Sequence, residues 1–129
     1  MDDGRLLKML ILPIKRKWFY MIRSGAKKEE YRDIKHYYTV RFRNLFTLRH
    51  IPDEEFVDSV RELESGLPFH NVVLRAGYSS LAPAIMIKGS LHIGTGWPEW
   101  GAREGKEYYV LRIDSVEDLL TDDWKGEMS

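Results

Sequence analysis

The spacing of hydrophobic positions changes along the chain, which predicts a mixture of strands and helices. The largely apolar run 6–12 is typical of a buried strand, and Pro13 is expected to end it. Segment 16–23 then carries apolar residues at positions i, i+1 and i+4, the spacing of one face of a short amphipathic helix. Gly25 follows where a left-handed residue commonly ends a helix, so we expect a sharp turn there.

The residues after this turn carry charges of both signs where a strand would usually carry Val, Ile or Thr. The two-residue period of a strand puts Lys28, Glu30 and Arg32 on one face, and Glu29 on the other. Lys27 can join the charged face only if it still belongs to the turn. Such a strand is expected to face something charged.

The remaining pattern predicts two further helices and several strands. Helical spacing or helix-start residues mark segments 36–49 and 52–64. Runs rich in β-formers, separated by glycine, serine and proline, predict strands over 71–75, 84–93 and 107–113. About five to six strands with two to three helices indicate an α+β, mainly β fold in a single domain spanning 1–129.

Composition narrows the class of protein. With 129 residues, 43% of them hydrophobic, the chain is able to bury a core of its own. No run approaches the ~20 apolar residues of a membrane span, so we expect no membrane association. The start, Met1–Gly4, lacks the features of a signal peptide, and the absence of cysteine excludes disulfides and thiolate catalysis. A cytoplasmic location is the expectation.

The formal net charge of zero conceals two oppositely charged halves. Residues 1–50 hold 13 Lys and Arg against 5 Asp and Glu, while residues 51–129 hold 7 against 15. A basic half can follow a phosphate backbone even in a neutral molecule, because salt limits the reach of each charge to about 8 Å. Alternatively, these charges are solvated faces that attract each other where the halves pack.

The charged segment resembles the signature of ASCH domains, G-x-K-x-x-E-x-R after a strand and a short helix. All four fixed positions match, at Gly25, Lys27, Glu30 and Arg32. Segment 94–101, with two tryptophans around Pro98, is similar to small bacterial and phage members. ASCH domains are similar in fold to PUA domains, so the resemblance implies a PUA-like small β-barrel over almost the whole chain, with RNA or a nucleotide as the partner.

The resemblance also implies candidate catalytic residues. Some ASCH proteins are small amidohydrolases that act on acylated cytidine through a lysine, a threonine and a glutamate, and others are metal-dependent ribonucleases. Lys27 matches the lysine, but Glu30 occupies the threonine position, which removes that nucleophile. A carboxylate is still able to activate water, so Lys27 and Glu30 are the catalytic candidates if the protein is an enzyme.

Candidate binding residues come from the charged strand and from a later turn. A lysine near a barrel mouth binds phosphate as a cation, and an arginine held by Glu30 presents its fork to a phosphate or a base edge. Arg75, Tyr78 and Ser79 combine a cation, an aromatic ring and a hydroxyl on a predicted turn, a set suited to base stacking and phosphate binding. The candidate ligand-binding residues are therefore Lys27, Lys28, Arg32, Arg75, Tyr78 and Ser79. Each also has a purely structural interpretation, as an exposed lysine, an internal ion pair or an ordinary loop.

No cofactor or metal site is indicated. The histidines at 36, 50, 70 and 92 show no ligand spacing such as H-x-x-x-H, and the glycines at 94 and 96 do not form a complete phosphate-binding loop. The leading hypothesis is an RNA- or nucleotide-binding module. The alternatives are a hydrolase acting on a modified nucleoside or RNA, and a protein-interaction module.

Overall fold

The structure, a computed structural model, describes residues 9–119. Its elements follow the order β1 Leu10–Pro13, α1 Arg16–Ser24, β2 Glu29–Arg32, α2 His36–Leu45, α3 Asp53–Glu62, β3 Leu67–Arg75, β4 Ala84–Thr95 and β5 Glu107–Leu119. A short 3-10 helix, Pro98–Trp100, lies between β4 and β5. The start of the predicted first strand, 6–8, and the segment Met1–Gly4 lie outside the described residues.

The five strands form one curled half-barrel sheet in the order β1-β3-β4-β5-β2. β1 pairs with β3 in parallel, and the other pairs are antiparallel. The predicted α+β, mainly β fold is confirmed, with five strands and three helices among residues 9–119. Because the sheet is curled and open, β1 and β2 are its two edge strands.

The helices pack against the sheet through aromatic and aliphatic side chains. Phe19 of α1, Phe42 of α2 and Phe56 of α3 are each 1% exposed and belong to one hydrophobic core. Tyr109 of β5 lies at its centre, with its ring 4.9 Å from that of Phe42. The Tyr109 hydroxyl is 2.6 Å from Thr39 Oγ1, so this buried phenol has a polar partner.

A turn after α1 positions the charged segment. Gly25 has φ 90° and its N–H donates to the Ile22 carbonyl, as predicted for a left-handed residue after a helix. The backbone N–H of Lys27 donates to Met21 O at 3.0 Å. Lys27 therefore belongs to the turn and precedes β2, which is the condition under which it can join Glu30 and Arg32.

Several element boundaries differ from the predicted ones. α2 ends at Leu45 rather than near residue 49, because Thr47 adopts φ 57° and the Leu48 N–H returns to Arg43 O. β3 starts four residues earlier than predicted, at Leu67, and includes Pro68. Proline is tolerated there because β1 pairs only with Val72–Arg75, so this part of β3 has no partner on that side. None of the described helices has the length and apolar character to cross a membrane.

Candidate functional site

Three charged side chains, two cations and one carboxylate, form a buried cluster on β2 and the turn before it. Lys27 is 1% exposed, Glu30 is 6% exposed and Arg32 is 9% exposed. Glu30 lies between the two cations, with Oε1 3.3 Å from Lys27 Nζ and Oε2 2.7 Å from Arg32 Nη2. Burial of charged groups is unfavourable unless they are paired, and this arrangement leaves one excess positive charge beside the single carboxylate.

Lys27 is held on all sides by acceptors and aromatic rings. Its Nζ donates to the carbonyl oxygen of Trp100 at 2.6 Å. The same nitrogen lies 4.9 Å from the ring centroid of Trp18 and 4.8 Å from that of Tyr31, distances at which a cation is attracted to a ring face. Burial lowers the pKa of Lys27, and the neighbouring Glu30 carboxylate partly opposes that shift.

Arg32 connects the cluster to the opposite edge of the sheet. Its Nε and Nη2 both donate to Glu30 Oε2, and Nη2 also donates to the carbonyl oxygen of Pro13 at 2.9 Å. Nη1 donates to the Tyr38 hydroxyl at 3.4 Å, with the guanidinium 5.6 Å from the Tyr38 ring centroid. Burial alone would lower the pKa of Arg32, but Glu30 and Tyr38 outweigh it and the pKa is raised.

A cleft of about 300 Å³ opens in front of this cluster, between β1 and β2. Glu30 and Arg32 line it, and the rings of Trp18, Tyr31 and Tyr38 also form its walls. The other lining residues are Pro13 at the end of β1, Ile14 and Lys15 directly after it, and Asp33 and Lys35 after β2. Lys27 lies behind Glu30 and outside this lining.

Tyr31 is fixed in the wall by bonds on both sides of its hydroxyl. The hydroxyl donates to Glu29 Oε1 at 2.8 Å and accepts from the backbone N–H of Trp97 at 2.9 Å. Burial is the main cause that raises the pKa of Tyr31, so the phenol stays neutral at physiological pH. Gly96 leaves room for the ring, because a Cβ there would lie 2.4 Å from Tyr31 carbon atoms.

The charge available to a ligand in the cleft is positive. Lys15 and Lys35 are exposed, and within residues 9–119 neither forms a salt bridge. Asp33, the other carboxylate in the lining, is neutralised by Lys106 Nζ at 3.0 Å. Glu30 is already engaged by two cations. An anionic ligand would therefore meet cations whose charge is not balanced by the lining.

The structure brings some of the predicted site residues together and separates others. Lys27, Glu30 and Arg32 form the cluster, whereas Lys28 is exposed and outside the cleft lining. Its backbone carbonyl accepts from the N–H of Ile113, which is an ordinary structural contact.

The predicted turn residues lie beside the cleft rather than in it. Tyr78 is 86% exposed and lines an adjoining cavity. Ser79 Oγ accepts the Leu81 N–H at 3.0 Å, so this hydroxyl stabilises its own turn. Arg75 is half-buried on β3, and its Nε is buried without a hydrogen-bond partner among residues 9–119.

The partners that hold the cluster in place were not predicted from the sequence. Trp100 and Pro13 contribute backbone carbonyls, which any residue type supplies and which leave no signal in the sequence. Trp18 and Tyr38 were detectable only as aromatic residues at the starts of two helices flanking the charged strand. Lys15 and Lys35 directly precede those two helices. A lysine before each helix is a repeated pattern that is visible in the sequence.

No metal centre accompanies the cleft in the described part of the chain, where no group of three or more His, Asp or Glu side chains could hold an ion. His92 is buried with Nε2 2.7 Å from Ser90 Oγ, and His36 is paired with Asp53. No protein-family model, curated protein or solved structure matches the chain. The geometry of the cleft is therefore what points to a function.

Proposed function

We propose that this protein binds RNA or a nucleotide in the cleft between β1 and β2. The observation that carries the proposal is the combination of aromatic walls with unbalanced cations in one concave site. Trp18, Tyr31 and Tyr38 line the cleft, and proteins commonly stack nucleic-acid bases on aromatic side chains of this kind. Lys15 and Lys35, both exposed, are placed to contact a phosphate at the same site.

The size of the cleft favours a single nucleotide unit over a duplex. A volume of about 300 Å³ is at the lower end of the range typical of small-molecule sites. Recognition of RNA by proteins commonly uses single-stranded bases stacked on aromatic side chains. The partner proposed here is therefore a nucleotide or an unpaired stretch of RNA.

The resemblance to ASCH domains supports the same proposal from the sequence side. Three of its four fixed positions, Lys27, Glu30 and Arg32, form the buried cluster, and the fourth, Gly25, makes the turn that delivers Lys27. The PUA-like relationship and a cytoplasmic location are part of this proposal. The absence of cysteine suits a reducing compartment.

One observation favours a second function, hydrolysis of a modified nucleoside or of RNA. The lowered pKa of Lys27 beside a carboxylate is an arrangement that general acid–base catalysis uses. Of this pair only Glu30 lines the cleft, so Glu30 would contact the attacking water and Lys27 would act through it. Incubation of the protein with acylated nucleosides and with single-stranded RNA tests this hypothesis. Product formation by the wild type that is lost in Lys27→Met would support an enzyme.

Binding is tested by fluorescence anisotropy of a labelled single-stranded RNA at several salt concentrations. For single strands, log K falls with log salt by about 0.7 for each phosphate neutralised. Lys35→Gln should weaken binding and reduce that slope by about 0.7. Lys88→Gln, at an exposed position of β4 outside the cleft lining, should leave both unchanged. Equal effects of the two variants, or no binding by the wild type, would reject the cleft as the binding site.

A further inference from the structure

A second cavity adjoins the cleft on the other side of the segment that follows β1. It has a volume of about 380 Å³ and is lined by Arg16, Ala76, Gly77 and Tyr78 together with Pro13, Ile14 and Lys15. The last three residues also line the cleft. The two cavities are thus neighbours separated by a single stretch of chain.

The backbone fixes the relative placement of the two cavities. Pro13 pairs with Arg75 in the register of β1 and β3, and the Ile14 N–H donates to Arg75 O at 2.8 Å. The chain after β3 therefore runs directly beside the chain after β1. Gly77, with φ 122°, turns it there and presents Tyr78 at the cavity.

The second cavity combines exposed cations with an aromatic ring, as the cleft does. Lys15 and Arg16 are exposed cations that form no salt bridge within residues 9–119. Tyr78 is 86% exposed, the largest fraction among the exposed large hydrophobic residues, so its ring contributes little to the core. An exposed ring beside unpaired cations is typical of a surface on which a base stacks and a phosphate binds.

We propose that the second cavity holds the next nucleotide of the strand, so that the protein recognises at least two consecutive nucleotides of single-stranded RNA. One base occupies the cleft, the neighbouring base stacks on Tyr78, and the phosphate that links them lies over Lys15 and Arg16. This proposal rests on the proposed function of the cleft. It adds that the ligand is an oligonucleotide rather than a free mononucleotide.

The test compares adenosine monophosphate with the dinucleoside monophosphate ApA by isothermal titration calorimetry. ApA carries no more negative charge than the mononucleotide, so a gain in affinity has to come from the second nucleoside. We expect ApA to bind roughly tenfold more tightly, the gain typical of one stacked base. Tyr78→Ala should remove that gain without changing the affinity for the mononucleotide.

Two further variants separate stacking from other causes. Tyr78→Phe keeps the ring and should keep the gain. Leu81→Ala alters an exposed apolar residue of the same loop, outside the second cavity, and should also keep it. If ApA binds no more tightly than the mononucleotide, or if Tyr78→Ala retains the gain, the second site is refuted while the cleft stands. If neither ligand binds, the proposed function of the cleft falls and the second site falls with it.

Discussion

Arg32 on β2 donates a hydrogen bond from Nη2 to the carbonyl oxygen of Pro13 on β1 at 2.9 Å. These are the two edge strands of the sheet, which the backbone leaves unpaired with each other. A side chain thus spans the opening where backbone hydrogen bonds would close a complete barrel. The cleft lies at that opening, so the contact that holds the edges together also forms part of the binding surface.

Replacement of Arg32 by lysine should destabilise the protein. Lysine keeps the charge but lacks the planar fork that reaches Glu30 and Pro13 together. We expect the free energy of unfolding in urea to fall by about 2–3 kcal/mol. Arg112→Lys is the matched control: this exposed arginine lies 3.5 Å from Glu29, and the change should be within about 0.5 kcal/mol. Equal losses in the two variants would contradict a bridging role for Arg32.

The order of stability among cluster variants follows from the charge balance. Glu30→Gln leaves two buried cations without their shared carboxylate and should cost about 3–5 kcal/mol. Lys27→Met leaves the Glu30 and Arg32 pair balanced and should cost less, about 1–3 kcal/mol, chiefly because Trp100 O loses its donor. Urea unfolding of both variants at pH 7 checks the order. A larger loss for Lys27→Met would show that Glu30 is not the centre of the cluster.

The local parts of the structure were predictable because local chemistry determines them. Glycine after an amphipathic helix predicted the left-handed turn at Gly25, and strand alternation predicted that Glu30 and Arg32 share a face. The end of α2 was not predictable, because it depends on a non-glycine residue, Thr47, with positive φ. Such residues carry little sequence signal.

The long-range parts of the site could not be obtained from the sequence. The cleft exists because the sheet order places β1 and β2 at opposite edges and curvature brings those edges together. The carbonyls of Trp100 and Pro13 depend on that geometry and not on residue type. Lys28 is the opposite case, a residue predicted for the site but found outside it. Its charge and spacing suggested a site residue, but it precedes β2 and is exposed.

Two glycines of β4 should respond differently to alanine. A Cβ on Gly89 would lie 1.8 Å from Arg112 O, at the point where the pairing of β4 with β5 shifts register. Gly89→Ala should therefore lower the free energy of unfolding by at least about 2 kcal/mol. A Cβ on Gly94 meets nothing within 4 Å, so Gly94→Ala should leave the free energy of unfolding nearly unchanged. Urea unfolding of both variants measures the difference. Similar losses at both positions would argue against the close approach at Gly89.

Stability should depend on the protonation of His92. Burial, with a smaller contribution from Arg112, lowers the pKa of His92 below its ordinary value of 6.5. The unfolded chain then binds more protons than the folded one, so this contribution is fully present above pH 6.5 and is lost as the pH falls through the folded pKa. Urea unfolding between pH 7.5 and pH 5.5, about one unit either side of the ordinary histidine pKa, should show this loss in the wild type.

His92→Gln keeps a polar partner for Ser90 but does not titrate. Its stability should fall less over the same pH range than that of the wild type. An unchanged pH profile would mean that other groups cause the decline.

NMR titration of the isotope-labelled protein with a nucleoside monophosphate locates the nucleotide site directly. We expect shifts of the Trp18 indole N–H and of the amides of Tyr31 and Tyr38, because these residues line the cleft. Backbone signals around Asp58 on α3, a residue outside the cleft lining, should stay in place. Shifts confined to α3, or no shifts at saturating nucleotide, would contradict the assignment of the cleft as the nucleotide site.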